Sequence, residues 1–398
     1  MWQPSQGPER LNERAVQHIS WLPAHPSDGS ISMNRYWHAL HAASRLIADR
    51  VAVDCPLGEP EQMVGRYSRL KRAWYRYAWY PSRLRAYRWS PIVHVLDHSS
   101  AFLLRAVSRN VRTVVTVHDL IPLRDREQLT ESQYRRFRRC VNRVRFADLV
   151  VTISNQTARD VEELLEIPRD RIEVIPLGVD RGFFDAVPGS NRTLPQAMAD
   201  VQRRPIVLSI GSRQRRKNLA LLPPVLRLLQ RQVPDICLVR VGDRLDASLR
   251  NELTSTLGAA AVIELGTIAD DLLPAVYSAS SVLFFPSTYE GFGLPVLEAM
   301  AAGCPVVCSG STSLPEAGGE AARYFDAHAP DEAAEALHEV LSDGHLRRRM
   351  QQEGRDRARA FSWQRHLAGL LDAYARLATD SNAAAALNDA ARHLRCAS

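Results

Sequence analysis

Short β-branched runs alternate along the chain with stretches whose apolar positions recur every three or four residues, the pattern of parallel strands covered by helices. In the first half the runs Val16–Leu22, Ile92–Leu96, Val114–His118, Leu149–Ile153 and Val174–Pro176 predict strands, with helices around Tyr36–Ile47, Glu131–Phe146 and Gln156–Glu166. Pro188–Pro195 (PGSNRTLP) is rich in turn formers and has no periodicity, so it reads as a linker. A second alternating set follows: Ile206–Ile210, Ile236–Val241, Val262–Leu265, Val282–Phe285 and Val306–Cys308. Helical segments Glu332–Ser342 and His345–Phe361 come next, and Ala383–Ser398 is an alanine-rich surface helix or partly ordered tail. The expected architecture is α/β, with two doubly wound Rossmann-like halves facing a central cleft. The expected divisions are 1–190, 191–365, and a C-terminal helix and tail over 366–398 that packs back toward the N-terminal half. Ligands of such folds bind at the carboxyl ends of the strands.

The chemistry-bearing residues fall at those ends. In Ser281–Gly303 (SVLFFPSTYEGFGLPVLEAMAAG) an apolar strand runs into a loop carrying Glu290, Gly291, Phe292, Gly293 and Leu294. Pro295 then marks a helix start, where its missing N–H costs nothing. Two glycines ahead of a helix N-terminus let backbone N–H groups and the positive dipole end approach a phosphate. Glu298 is expected in the first helical turn, within reach of hydroxyls. The bland reading has Glu290 solvated and Glu298 capping the helix. After the strand Ile206–Ile210 comes GSRQRRKNL, which sets Arg213, Arg216 and Lys217 at the same mouth. Buried phosphate oxygens need such cations. Lys71 and Lys217 are the only lysines among 51 basic residues, so Lys217 is not explained by the chain's arginine habit. A plain basic helix start is disfavoured there by the helix dipole. Thr113–Leu123 (TVVTVHDLIPL) delivers His118 and Asp119 to another strand end, although a lone histidine there is as often a core or surface residue.

Composition narrows the class. At 398 residues, 45% hydrophobic and 24% charged, the chain is an ordinary globular mix with no stretch resembling a membrane-spanning helix. Met1–Arg10 is polar without an apolar core, so export by a cleaved leader is not expected. Six scattered cysteines show no metal-ligand spacing, and a reduced, cytoplasmic enzyme is expected. The net charge of +7 suggests an anionic partner. Residues 66–89 concentrate that charge, with eight basic side chains, eight aromatics including Trp74, Trp79 and Trp89, and no acid. Tryptophan and tyrosine beside clustered arginine suit an anionic membrane interface, so peripheral contact with the inner face of the cytoplasmic membrane is expected. The bland alternative is a core-packing helix pair with solvated arginines. Nucleic-acid binding is not expected.

Taken together, these motifs resemble the retaining glycosyltransferases of family four, which have the two-domain GT-B fold. Glu290 to Glu298 around GFGLP resembles that family's E-x7-E signature, and GSRQRRKNL its phosphate-binding turn. VTISNQTARDV, VIPLGVD and SLPEAGGEAA look like further family segments, and TVHDLIP is similar to the branch containing bacterial polysaccharide mannosyltransferases. The resemblance runs from about Ile92 to Tyr374. It implies that Lys217 with Arg216, or failing that Arg213, holds a donor diphosphate. Glu298 would bind the ribose, and Glu290 with the Gly291–Leu294 backbone would hold the transferred sugar and distal phosphate. His118 would contact that sugar, which makes His118, Lys217 and Glu290 the implied catalytic group. Where family members often have a glycine-rich turn, this chain reads Ser32-Met33-Asn34-Arg35-Tyr36. Arg35 and Tyr36, with Asp119, are the candidate acceptor contacts. The implied activity is transfer of a hexose, mannose from GDP-mannose, to a saccharide or lipid-linked acceptor in cell-surface polysaccharide assembly. The alternatives are a UDP- or dTDP-sugar donor with a small acceptor, or a weakly active nucleotide-sugar-binding protein. No cofactor and no metal is expected.

Overall fold

The computed structural model describes residues 17–24, 31–56, 74–126, 129–186, 194–201 and 203–397. Most of the linker Pro188–Pro195, the stretch 66–73 and the first ten residues lie outside the described residues.

Twelve strands form two six-stranded sheets among the described residues. The first comprises β1 (Gln17–Leu22), β2 (Val51–Asp54), β3 (Ile92–Val95), β4 (Arg112–Val117), β5 (Leu149–Thr152) and β6 (Ile172–Val174), in the order β2-β1-β3-β4-β5-β6. The second comprises β7 (Ile206–Gly211), β8 (Cys237–Gly242), β9 (Val262–Gly266), β10 (Val282–Phe285), β11 (Val306–Ser309) and β12 (Arg323–Phe325), in the order β12-β11-β10-β7-β8-β9. All its neighbouring strands pair in parallel. Its central strands are buried on both faces, which explains why they read as continuous apolar runs rather than as alternations. The order of the second sheet reverses between β7 and β10, the switch point where a doubly wound sheet opens a crevice.

Contacts divide the chain into two compact units. One holds the residues up to Thr116, Phe146–Val150 and Leu367 onward; the other holds Val117–Arg145 and Val151–His366. In the first unit the helix Ser381–Cys396 buries Leu387, Ala390, Ala391 and Leu394, so the alanine-rich end is a packed helix and not a partly ordered tail. The hydroxyl of Tyr374 accepts from Trp21 Nε1 at 3.2 Å and bonds His94 Nδ1 at 2.6 Å, while His94 Nε2 reaches Thr116 Oγ1 at 2.8 Å.

Three sequence expectations need correction. β2 and β12 do not figure among the predicted strands; both are short edge strands with half-exposed positions, and their apolar signal is correspondingly thin. The helix expected from about Tyr36 starts earlier, as Ile31–Ser44, and takes in Ser32–Tyr36, where family members often have a glycine-rich turn. The expected helix Glu131–Phe146 ends at Val141 and resumes as a short 3-10 turn over Val144–Phe146.

Candidate donor site at the switch point of the second sheet

The loops after β7 and β10 meet. After β7 the chain makes a 3-10 turn, Arg215–Lys217, that ends on Asn218 in the left-handed conformation. After β10 it runs through Pro286 to Glu290 and enters the helix Leu294–Ala301. The Thr288 N–H donates to the Arg216 carbonyl at 2.8 Å and ties the loops together. Across that tie, Lys217 Nζ lies 2.6 Å from Glu290 Oε1 and Arg216 Nη1 lies 2.8 Å from Glu290 Oε2. Lys217 also stands over the Phe285 ring, 4.7 Å from its centroid. Lys217 and Glu290 are both buried, so neither the solvated-loop reading of Glu290 nor the exposed-helix-start reading of Lys217 describes them. Burial pushes the Glu290 carboxyl up, but the charges of Lys217 and then Arg216 outweigh it and hold it below its ordinary value. Burial depresses the Lys217 amine, and Glu290 restores only part of the loss.

Both glycines of the loop are dictated by contact. A Cβ on Gly291 would stand 2.6 Å from the His118 carbonyl oxygen, and one on Gly293 would stand 2.8 Å from Leu314 Cδ2. Gly293 also adopts φ +101° as the residue before the helix. Phe292 is buried and packs edge-on against Phe361, with ring centroids 5.9 Å apart, so this residue has only its backbone to offer a ligand. Leu294 is half-buried and opens the helix.

Other predicted residues are placed differently. Glu298 is the fifth residue of its helix, past the first turn rather than in it, and its buried carboxylate accepts the Tyr277 hydroxyl at 3.0 Å. Arg213 is exposed, and its backbone N–H donates to Asp243 Oδ2 at 3.0 Å. His118 is buried just beyond β4, with its backbone against Gly291. Asp119 is half-buried, and its carboxylate accepts the Ile121 N–H at 3.1 Å, closing a turn. In the first unit Tyr36 is buried and, with Met33, Trp37 and Leu96, lines a shallow hollow at the carboxyl ends of β1 and β3; Arg35 is half-buried. Trp74 is 55% exposed, Trp79 is half-buried with Arg83 over its ring, and Trp89 is half-buried against Tyr87.

The residues that steady the glutamate loop escaped sequence reasoning. Ser154 Oγ and Thr157 Oγ1 donate to the Gly291 carbonyl at 2.6 and 3.1 Å, and the Tyr289 hydroxyl bonds Asp160. Thr312 Oγ1 accepts the Glu290 N–H at 3.0 Å, and Ser313 Oγ donates to the Glu290 carbonyl at 2.9 Å. Ser154 to Asp160 lie in VTISNQTARDV, a segment that looked like a family piece without revealing its role.

Two family models match the chain. "Glycosyltransferase Family 4" covers residues 20–183, and "Glycosyl transferases group 1" covers residues 191–357, including both loops of the site. The chain belongs to glycosyltransferase family 4. The serotype-specific mannosyltransferase WbdA of Escherichia coli is 31% identical to this family 4 chain over 309 residues, 73% of the chain and 37% of WbdA. The chain therefore spans little more than a third of that relative's length. The O-antigen chain mannosyltransferase B of Escherichia coli is 29% identical over 267 residues, covering 66% of the chain and 70% of that protein. Among solved structures, a sucrose-phosphate synthase from Thermosynechococcus elongatus superposes with a TM-score of 0.70 at 24% identity, covering 91% of this chain and 99% of that one. Anabaena HepE in complex with UDP and glucose gives 0.65 at 16%, covering 89% and 98%. These likenesses, with the two parallel sheets, make the fold GT-B.

Proposed function

We propose that the chain transfers a hexose from a nucleotide diphosphate sugar, with retention of configuration, to a saccharide or lipid-linked acceptor in cell-surface polysaccharide assembly. The buried cluster of Glu290 with Lys217 and Arg216, at the switch point of the second sheet, carries this reading. In it Lys217 and Arg216 take up the charge of the departing diphosphate, which is where catalysis by electrostatic stabilisation acts. Glu290 and the Gly291–Leu294 backbone hold the sugar and distal phosphate, His118 contacts the sugar, and Glu298 binds the ribose. The donor is assigned to residues 191–365 and the acceptor to residues 1–190, where Arg35 and Tyr36 are its candidate contacts.

Mannose from GDP-mannose is the proposed donor, supported by the mannosyltransferase names of WbdA and of the O-antigen relative. A UDP-sugar donor is the second reading, supported by the UDP and glucose in the HepE structure. Thermal stabilisation by GDP-mannose against UDP- and dTDP-sugars decides between them, since a ligand stabilises in proportion to its occupancy of the folded state. Slow release of free sugar from the preferred donor then distinguishes a working transferase from a protein that only binds.

Transfer is proposed to proceed by front-face displacement, in which the leaving phosphate helps deprotonate the acceptor, without a metal. Trapping a glycosyl adduct on Glu290 or Asp119 would reject that course in favour of double displacement. Loss of activity in chelator would reject the metal-free reaction.

Residues 66–89, of which 74–89 are described, are proposed to touch an anionic membrane surface and so bring the chain to the inner face of the cytoplasmic membrane. Trp74 and Tyr77 are 55% and 42% exposed, beside exposed Arg83, Arg85 and Arg88. Among the described residues no helix is long and apolar enough to cross a membrane. Flotation with anionic vesicles at low salt tests the contact, and failure to float removes it.

A further inference from the structure

Arg240 interrupts the apolar run of β8, and it is 1% exposed. β8 and β9 fall out of register at this position: Arg240 pairs with Glu264, but Val241 pairs with Gly266. The extra residue, Leu265, lies on β9, and a shift of this kind sharpens the local twist. The guanidinium bends to the carboxyl end of the sheet. Its Nη1 donates to the Val241 carbonyl at 2.9 Å, and its Nη2 donates to the Ser212 carbonyl at 3.2 Å and to the Gly211 carbonyl. Gly211 and Ser212 begin the turn that carries Arg216 and Lys217, and the Lys217 stem passes alongside Gly211.

Arg240 makes no ion pair among the described residues, and its buried Nε has no hydrogen-bond partner there. The nearest acids are engaged elsewhere. Asp243 accepts the Arg213 N–H, while Glu264 pairs with Arg250 at 3.2 Å and accepts the Leu245 N–H at 2.7 Å. Three cations, Arg216, Lys217 and Arg240, therefore surround one turn, and Glu290 is the only carboxylate paired directly with any of them among the described residues. Arg240 is close enough that its charge helps to depress Lys217, and burial holds Arg240 itself down to about 10. A desolvated cation bound only to carbonyl oxygens is costly to keep unless an anion answers it.

We infer that Arg240 is a positioning residue for the donor's diphosphate, one that fixes the Gly211–Ser212 backbone and sets a third positive charge behind the turn, so that a diphosphate is preferred over a monophosphate. This rests on the donor reading given above.

Titration calorimetry on the full chain tests it, with GDP and GMP as probes and UDP, UMP and dTDP in parallel. Arg240→Met removes the charge in a substitution of the kind that buried ions often tolerate. It is expected to weaken diphosphate binding on the order of tenfold and monophosphate binding by no more than about twofold, because the proposed interaction is with the distal phosphate, which a monophosphate lacks. Arg240→Lys keeps the charge and should recover most of the diphosphate affinity near neutral pH. Its diphosphate affinity should then fall at lower pH than the wild type's, since a buried amine gives up its proton before a guanidinium in the same place does. That pH profile keeps the inference testable if Arg240→Met fails to fold. Equal weakening of diphosphate and monophosphate overturns the inference, as does an Arg240→Lys pH profile identical to the wild type's. Wild-type binding with an unaffected Arg240→Met overturns the inference alone. Failure of the wild type to bind GDP, UDP or dTDP overturns the donor reading itself, and the inference with it.

Discussion

Replacing Lys217 by alanine separates what the buried cluster does for stability from what it does for chemistry. In the resting chain Nζ lies 2.6 Å from Glu290 Oε1 and over the Phe285 ring. Breaking a buried pair costs about 3–5 kcal/mol when it strands an uncompensated charge. Here Arg216 still holds the other carboxylate oxygen at 2.8 Å, so the cost should fall to about 2 kcal/mol. If Lys217 takes up the donor's charge as proposed, the chemical cost is at least as large. A cation aimed at a developing phosphate charge is worth about 2–4 kcal/mol in the transition state, which corresponds to a loss of roughly 30- to 1,000-fold in kcat/KM. Urea denaturation measures the first quantity and donor hydrolysis with steady-state transfer measures the second, both on the same preparation. Lys217→Ala with kcat/KM within about threefold of wild type, alongside a clear loss of stability, would refute the reasoning. Lys217 would then only neutralise Glu290.

Gly291→Ala should lower kcat/KM at least about tenfold and cost about 1–3 kcal/mol, because the new Cβ meets the His118 carbonyl at 2.6 Å; unaltered kinetics would show that the loop gives way freely. His366 is buried, and its Nδ1–H donates to the Pro176 carbonyl at 2.8 Å. Burial drives its pKa from 6.5 down to about 4, so its stabilisation is complete above pH 6.5 and is lost as pH falls toward 4. Denaturation midpoints should show that His366→Gln flattens the pH dependence of stability across this window by about 3 kcal/mol, and an unchanged slope would contradict the assignment. Tyr374→Phe removes the hydroxyl shared by Trp21 and His94 and should cost about 1–3 kcal/mol in urea; a loss below about 0.5 kcal/mol would mean that water or a neighbour replaces it.

Much of this was legible in the chain itself. Val282–Phe285 and Val306–Cys308 are buried on both faces of a parallel sheet and so announce themselves as unbroken apolar runs. Gly293 and Pro295 mark a helix start by backbone chemistry alone, and the helix begins within a residue of where they put it. Lys217 and Glu290 lie 73 positions apart, yet their meeting at one edge was legible because both loops follow parallel strands; their direct pairing was not. The supports of the glutamate loop were not foreseeable. Ser154 and Thr157 reach Gly291 across more than 130 residues, and hydroxyls of their kind are as common on helix caps as in sites. The same holds for Arg240, whose sequence neighbours indicate only a buried strand; the Gly211 and Ser212 carbonyls that its guanidinium meets lie 29 and 28 residues away along the chain. Glu298 shows the limit most plainly, since counting places it near the helix start but only the packed fold sets the Tyr277 hydroxyl against it. Periodicity and turn chemistry are properties of neighbouring residues and survive in the one-dimensional string, whereas partners chosen by packing exist only once distant segments have met.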